Sequence, residues 1–429
     1  MNEQITRSKH RLFWLERGSA LPEFHYPDAL RAMRHPNFRL FFWGQLISLI
    51  GTWMQSTAQQ WLVYRITGSQ TSLGMVTFIG FLPVLVFSLF MGVLVDQLPK
   101  RRVIVLTQAW FMLLAGVLAA LTWWNVVQYW HILVLAFLLG LGNALDMPAR
   151  QAFVVDMVDN NRADLMNAIG LNSSLFNGAR IVGPAIAGIL VAITGEAPAF
   201  AINSITFLAV IFGLLLMKLP PYMAPQQRGL KFAALKQGLS YIYHDKTIFG
   251  LVTMIAAFST FGFSYLTLLP VYARDILNIG ADGFGKLMSA QGVGALAGAL
   301  VLTVMGDRLP KGKMLLMGRS LLGFAVLGFA LSRTLWLSLL FLALAGYAFI
   351  TQLTFTNTMI QLIAPDSLRG RVISAYTWAL GGFFPLGSLL IGFIGDQIGT
   401  VNATLVCAGS SIVLTLLNLL FFPTMKNLG

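Results

Sequence analysis

The heptapeptide "DQLPKRR" occupies residues 96–102, directly after a long apolar stretch, and "DRLPKGK" occupies residues 307–313 in the same setting. The copies are 211 positions apart (96 to 307), close to half of the 429-residue chain. A repeat at that distance predicts two related halves. A charged loop at the end of a membrane-length segment, both times, predicts that the two copies lie on the same side of a bilayer.

Composition supports a bilayer. Apolar residues make up 57% of the chain and charged residues 10%, against roughly 25% charged in an ordinary soluble domain. So few charges cannot cover a soluble surface. Apolar runs of about 20 residues recur, long enough to cross roughly 30 Å of hydrocarbon as helices. Twelve are predicted, at 38–65, 71–95, 103–124, 129–147, 165–194, 198–217, 247–273, 282–305, 313–332, 335–357, 371–394 and 400–422. The expected fold class is an all-α membrane protein with twelve transmembrane helices in two pseudo-symmetric six-helix halves. The expected divisions are a cytoplasmic N-terminal leader (1–37), an N-terminal half (38–217), a cytoplasmic central loop (218–246), a C-terminal half (247–422) and a cytoplasmic tail (423–429).

The net charge of +13 would suggest nucleic acid in a soluble chain. Here the positive-inside rule accounts for it. With the N-terminus inside, the inner loops and adjoining helix ends collect about 24 of the 29 Lys and Arg. Arg65, Arg274, Lys286 and Arg333 fall outside, and Arg180 lies within a span. The expected location is a membrane, with both termini on its cytoplasmic side. Two halves that each begin inside are related by an axis along the membrane normal, an architecture of transporters that bind substrate between the halves.

Enzyme chemistry finds no foothold. The five histidines are scattered without metal-binding spacing, and the single cysteine, Cys407, allows neither an internal disulfide nor a cysteine cluster. No cofactor and no metal are expected. "GVGALAG" (292–298) loosely resembles a nucleotide-binding glycine motif but follows no strand, so helix packing is the expected role. The N-terminus has no apolar signal-peptide core.

The segment "GVLVDQLPKRRV" resembles the loop signature of the major facilitator superfamily, carried here by Gly92, Asp96, Lys100, Arg101 and Arg102. "GARIVGPAIAG" resembles the fifth-helix signature of its drug and proton antiporters through Gly183, Pro184 and Gly188, with Ala187 where a second glycine is usual. "NFRLFFWGQLISLIGTWMQSTAQQWLVYRITGSQTSLGMV", "PVYARDIL" and "APDSLRGRV" are similar to a bacterial exporter branch that includes the enterobactin exporter and macrolide efflux proteins. The resemblance implies export of an amphipathic organic molecule, a siderophore or a drug, by alternating access and proton antiport. Expected partners are that small substrate, protons and membrane lipids, without nucleic acid, and the chain is expected to act as a monomer. Other readings of the same chain are a lipid or lysolipid flippase and a transport-inactive sensor or scaffold.

The family's geometry implies that Asp96 docks on the start of the eleventh helix near Arg369 or Arg371, closing an inner gate when the outer side is open. Asp307, with Arg308, Lys311 and Lys313 around it, would do the same at the start of the fifth helix near Arg162. Gly92 would let two helices approach closely. Arg180, within its span, should face the interior, with backbone carbonyls or Asp146 as partner. The Gly183-Pro184 step, lacking one N–H, predicts a kink with close packing.

The resemblance further implies a cavity lined by the first, fourth, seventh and tenth helices. Ser48, Thr52, Gln55 and Gln59 share one face of the first by spacing. Asn143 on the fourth, Ser259 and Tyr265 on the seventh, and Tyr347, Thr351 and Thr354 on the tenth complete the substrate-binding candidates. Trp53, Trp61, Phe261, Phe263 and Trp378 are candidate aromatic walls. No carboxylate is placed clearly at mid-membrane, and Asp146 is the coupling candidate.

Overall fold

The computed structural model describes residues 27–158, 162–219, 240–305, 310–366 and 368–421. Within them a short 3₁₀ turn, Asp28–Arg34, leads into twelve long helices. These are α1 Pro36–Thr67, α2 Gln70–Asp96, α3 Lys100–Trp123, α4 Tyr129–Asp156, α5 Arg162–Thr194 and α6 Ala197–Leu216 in the first half. The second half holds α7 Lys246–Ile276, α8 Gly280–Met305, α9 Lys311–Leu331, α10 Leu335–Ile363, α11 Arg369–Ile398 and α12 Thr400–Phe421. Most of the central loop, the leader before residue 27 and the tail after residue 421 lie outside the described residues.

Eleven of these helices are long and apolar enough to cross a membrane by composition. The remaining one, α1, is 32 residues long, enough for about 48 Å of rise. It is less apolar because it carries Gln45, Ser48, Thr52, Gln55, Ser56, Thr57, Gln59 and Gln60, and several of these are buried against protein. Polar side chains enter a span when neighbouring helices, not lipid, receive them.

Helix ends are fixed locally. Ser69 caps α2 by accepting from Ser72 N at 3.3 Å, and Asp245 caps α7 by accepting from Thr247 N and Ile248 N at 3.0 and 2.9 Å. At the start of α4, Gln128 and His131 form a reciprocal box, which gives His131 a capping role. Gly68, at φ +61°, ends α1 in a left-handed turn.

α7 departs from the single regular helix expected. It is α-helical over Lys246–Ala257, widens to π geometry over Phe258–Gly262, tightens to 3₁₀ over Ser264–Leu268 and widens again over Tyr272–Ile276. Gly262 and Pro270 fall within the irregular part, and Pro270 supplies no N–H to the ladder. Hydropathy cannot register this break because the residues from Phe258 to Ala273 remain apolar, aromatic or small.

Each half builds a core of its own. One unites Ile255, Tyr265, Tyr272, Phe329 and Phe355 in the C-terminal half. Phe38, Ile104 and Phe153 anchor another in the N-terminal half. A third cluster joins them, with Val271 and Ala281 of the C-terminal half packed among Met54, Leu62 and Leu118 of the N-terminal half. The halves meet along two seams, α2 against α11 and α5 against α8. The end of α2 and start of α3, the end of α8 and start of α9, and the end of α10 and start of α11 lie at one end of the bundle, called the basic end below; the opposite end is the far end.

Candidate functional site

Between the halves lies a cavity of ≈ 400 Å³. α1 contributes Trp53, Gln59 and Val63, α2 contributes Val76, Gly80 and Phe81, and α4 contributes Leu139 and Asn143. Arg180 comes from α5, Phe263 and Thr267 from α7, Met288 from α8 and Phe384 from α11. The walls are mostly apolar with a few polar groups, the composition of a site for an amphipathic organic molecule. No carboxylate is among the lining residues.

Arg180 is the cation of this site and is only 6% exposed. Its guanidinium carbon lies 5.5 Å from the Trp53 ring centre and 5.7 Å from those of Phe263 and Phe349. Trp53 belongs to one half, Phe263 and Phe349 to the other. Each aromatic face contributes about 0.5–2 kcal/mol to a desolvated cation, partly offsetting the cost of burying it. The expected pairing with Asp146 is not made. Asp146 instead accepts from Thr107 Oγ1 at 2.6 Å and Gln108 Nε2 at 3.1 Å, and Arg150, one turn along α4, pairs with it. Arg150 also donates to Gln45 on α1. With these three partners inside its own half, Asp146 makes no ion pair with Arg180.

The far end is closed. Tyr64 at the end of α1 donates to Asp275 at the end of α7, and Arg274 sits over the Tyr64 ring at 5.3 Å. Asp396 near the end of α11 accepts from Ser69 Oγ (2.7 Å), Gln70 N (2.8 Å) and Thr71 N (2.9 Å), capping the start of α2 across the seam. A carboxylate from one half thereby satisfies free N–H groups and the positive dipole end of a helix in the other. Sequence reasoning missed Asp396; the polar triplet Ser69-Gln70-Thr71 at a helix start was the available signal. The hydrogen bonds that join described residues of the two halves all fall between the middle of the bundle and this end.

The fifth-helix motif lies on the second seam. A Cβ at Gly188 would stand 2.9 Å from the Gly285 Cα and 3.0 Å from the Ala281 carbonyl oxygen, so α5 and α8 touch backbone to backbone. Gly183 faces α1, where a Cβ would stand 2.6 Å from Trp53 Cβ. Pro184 is carried without interruption of the helix. "GVGALAG" packs as expected, Gly292 on α5 and Gly294 and Gly298 on α10.

Of the substrate-binding candidates, Gln59 and Asn143 line the cavity. Thr52 and Thr354 are exposed. Ser48 and Gln55 are buried, and Gln55 accepts from Asn203 on α6 at 2.7 Å, so the polar stripe of α1 divides between its seam with α6 and the cavity. Ser259 donates to the Leu380 carbonyl at 2.6 Å. Tyr265 is fully buried near Phe329. Thr351 is buried beside Gly318, and Tyr347 abuts Gly298. Tenth-helix candidates are therefore not lining residues here, while α2, α5, α8 and α11 supply wall positions the sequence reading did not assign. Of the aromatic candidates, Trp53 and Phe263 line the cavity, and Trp61 stacks on Phe284.

At the basic end Lys100 pairs with Asp156 at 2.9 Å, Arg101 donates to the Leu215 carbonyl at 2.8 Å, and Arg369 pairs with Asp366 at 2.6 Å. Arg102 and Lys313 are exposed, Lys311 and Arg371 half-buried. Gly92 meets nothing within 4 Å among the described residues, so the close approach expected there is not made in this state. The docking expected of Asp96 and Asp307 falls on side chains outside the described residues, as do Arg308 and the Arg162 side chain. One further correction concerns buried charge. Arg180 is not alone within a span, because Arg319 on α9 is 5% exposed. It lies eight residues into its helix and was counted among the basic residues of the helix end.

Two six-helix halves around a central cavity, with one end closed, are the architecture of a membrane transporter. The chain matches the model of the transmembrane secretion effector family over residues 28–427; it belongs to that family, within the major facilitator superfamily. It is 26% identical over 384 residues to the staphyloferrin A transporter of Staphylococcus aureus (88% of this chain, 94% of that one). It is 27% identical over 396 residues to the multidrug efflux pump Tap of Mycolicibacterium fortuitum (91% and 96%). The macrolide efflux protein A of Streptococcus pyogenes is 23% identical over 392 residues (89% and 95%). Among solved structures, a bacterial homologue of the human lysosomal transporter Spinster superposes with TM-score 0.68 at 13% identity, covering 95% of this chain and 97% of that one. A POT family transporter superposes with TM-score 0.72 at 13% identity, covering 91% and 96%.

Proposed function

We propose that this protein exports an amphipathic organic molecule carrying a negative group, of siderophore or drug type, from the cytoplasm by alternating access. The observation that carries the reading is Arg180: a buried cation on the cavity wall, held by aromatic faces of both halves with no carboxylate among the lining residues. A substrate anion at Arg180 with its apolar part against Phe81, Leu139 and Phe384 would satisfy both features. The names of the relatives, a siderophore transporter and drug efflux pumps, agree with such a cargo. The basic end is assigned to the cytoplasm on the positive-inside rule, which makes the closed far end the outer gate. Rocking of the halves would open the α2–α11 and α5–α8 seams and close the basic end.

Proton antiport is the proposed drive. Asp146 is the coupling candidate because its carboxylate holds Arg150, and through it Gln45, so its protonation would loosen α4 from α1. The test is uptake into energised inside-out vesicles. An anionic siderophore should accumulate only with a proton gradient, ahead of a macrolide and a lipophilic cation. Equal handling of all three, or indifference to the gradient, would overturn the reading.

A further inference from the structure

The repeat that revealed the two halves also aligns their interiors, and the comparison exposes an imbalance of charge. The heptapeptides set an offset of 211 for the third and ninth helices, which also start 211 apart, at Lys100 and Lys311. α4 and α10 start 206 apart, at Tyr129 and Leu335. On these offsets Gln108 corresponds to Arg319, Asp146 to Gln352, and Arg150 to Thr356. The N-terminal cluster is neutral: Asp146 takes hydrogen bonds from Gln108 and Thr107 and an ion pair from Arg150. Its C-terminal counterpart keeps an arginine and has an amide where the carboxylate stands.

No described residue answers that arginine. Arg319 is 5% exposed, and none of its three guanidinium nitrogens has a hydrogen-bond or ion-pair partner among the described residues. Gln352 is fully buried with both amide atoms unpartnered, and so is the Thr356 hydroxyl one turn along α10. Arg319 and Gln352 line one small pocket with Met254 and Phe258 of α7 and Ser411 and Thr415 of α12. Its volume is ≈ 10 Å³, room for about one water-sized occupant. Buried polar groups of native proteins are normally satisfied, and a buried charge is normally paired. A water would supply hydrogen bonds and leave the charge. Phosphate, sulfate or a substrate carboxylate exceeds the space.

We propose that the C-terminal half holds a monatomic anion, chloride under cellular conditions, in the pocket of Arg319 and Gln352, where it stands in for the carboxylate that Asp146 supplies in the N-terminal half. The anion accepts N–H groups from the guanidinium and the Gln352 amide and ties α9 to α10 within one half. It lies away from the cavity between the halves, so it is a structural ion and not cargo. This assignment is independent of the exported substrate.

The experiment uses the purified full chain in detergent with radiolabelled chloride. Saturable binding of one chloride per chain is expected, displaced by bromide and not by gluconate, with thermal unfolding at higher temperature in chloride than in gluconate at equal ionic strength. Arg319→Met keeps the length of the side chain without its charge and should weaken binding at least about tenfold, the loss expected for hydrogen bonds to a charged group. Gln352→Asp restores the carboxylate of the other half; it should abolish chloride binding and make unfolding indifferent to the anion, while the chain stays folded. Absence of saturable binding in the unsubstituted protein overturns the proposal, whatever the variants do. So does binding that survives both substitutions unchanged.

Discussion

Tyr64 donates its hydroxyl to Asp275, and this hydrogen bond joins the far ends of α1 and α7. With the Arg274 guanidinium over the same ring, it forms a latch between the halves, beside the Asp396 cap on the start of α2. The Asp275 side chain is 46% exposed, so water discounts the bond to about 1 kcal/mol. Tyr64→Phe or Asp275→Asn should therefore raise the open fraction of the far end about fivefold. A single reporter cysteine at Asn278, placed in a Cys407→Ser background, should react faster with a membrane-impermeant maleimide. Unchanged labelling would show that the seams alone hold this end shut.

At Gly188 and Gly285 the second seam brings backbone against backbone. A branched side chain there must part α5 from α8, at roughly 1–3 kcal/mol of overpacking. Gly188→Val is expected to insert normally in the membrane, to disfavour the far-end-closed state and to lose transport. Gly178, whose Cβ position is open, serves as control: Gly178→Val should transport. Equal loss in both variants would point to a general defect of α5.

Arg180 distinguishes substrates by charge. Arg180→Met should cost about 10- to 100-fold in uptake of an anionic substrate, the worth of a charge-assisted contact of about 1.5–3 kcal/mol, and spare a lipophilic cation. Arg180→Lys should recover only part, because a compact ammonium does not present a flat face to Trp53, Phe263 and Phe349 at once. Vesicle uptake of both probes by each variant measures the difference.

How much of this was written in the sequence depends on the kind of residue. The helices and their division were legible because hydropathy and the repeated heptapeptide are local or periodic signals. Arg180, Gln59, Asn143, Trp53 and Phe263 were legible as site candidates because polar or aromatic residues stand out in apolar spans. The α7 break was not, since no residue between Phe258 and Ile276 interrupts the apolar pattern until Arg274. Asp396 was not, because its partners lie more than 320 positions away. Arg319 was hidden by proximity to a basic loop: distance along the helix, about 12 Å from its start, looks like snorkelling range until the neighbouring helices are seen to enclose it.

Asp146 separates coupling from transport as such. Asp146→Asn keeps the hydrogen bonds to Thr107 and Gln108 within reach but cannot be deprotonated. Gradient-driven accumulation in inside-out vesicles should fall to background while downhill exchange of preloaded substrate continues. Loss of both would make the Asp146–Arg150–Gln45 cluster a structural support of α4.

The two heptapeptides should not be equivalent. In the far-end-closed state Arg369 pairs with the neighbouring Asp366, a surface pair of little strength, so it is available to exchange partners when the basic end closes. Asp96, the last residue of α2, is the proposed recipient, and Gly92 one turn earlier leaves room for α11 to come close. In the second copy Thr303 stands at the position of Gly92 and Gly312 at that of Arg101, which weakens both close approach and positive charge. Asp96→Asn should therefore abolish transport at normal membrane levels, and Asp307→Asn should reduce it less. The same reporter cysteine at Asn278 supplies the mechanism: with the basic-end gate lost, Asp96→Asn should hold the protein in the far-end-closed state and slow labelling. Full transport by Asp96→Asn would remove the gate from this loop and leave its charges only the role of orienting the protein in the membrane.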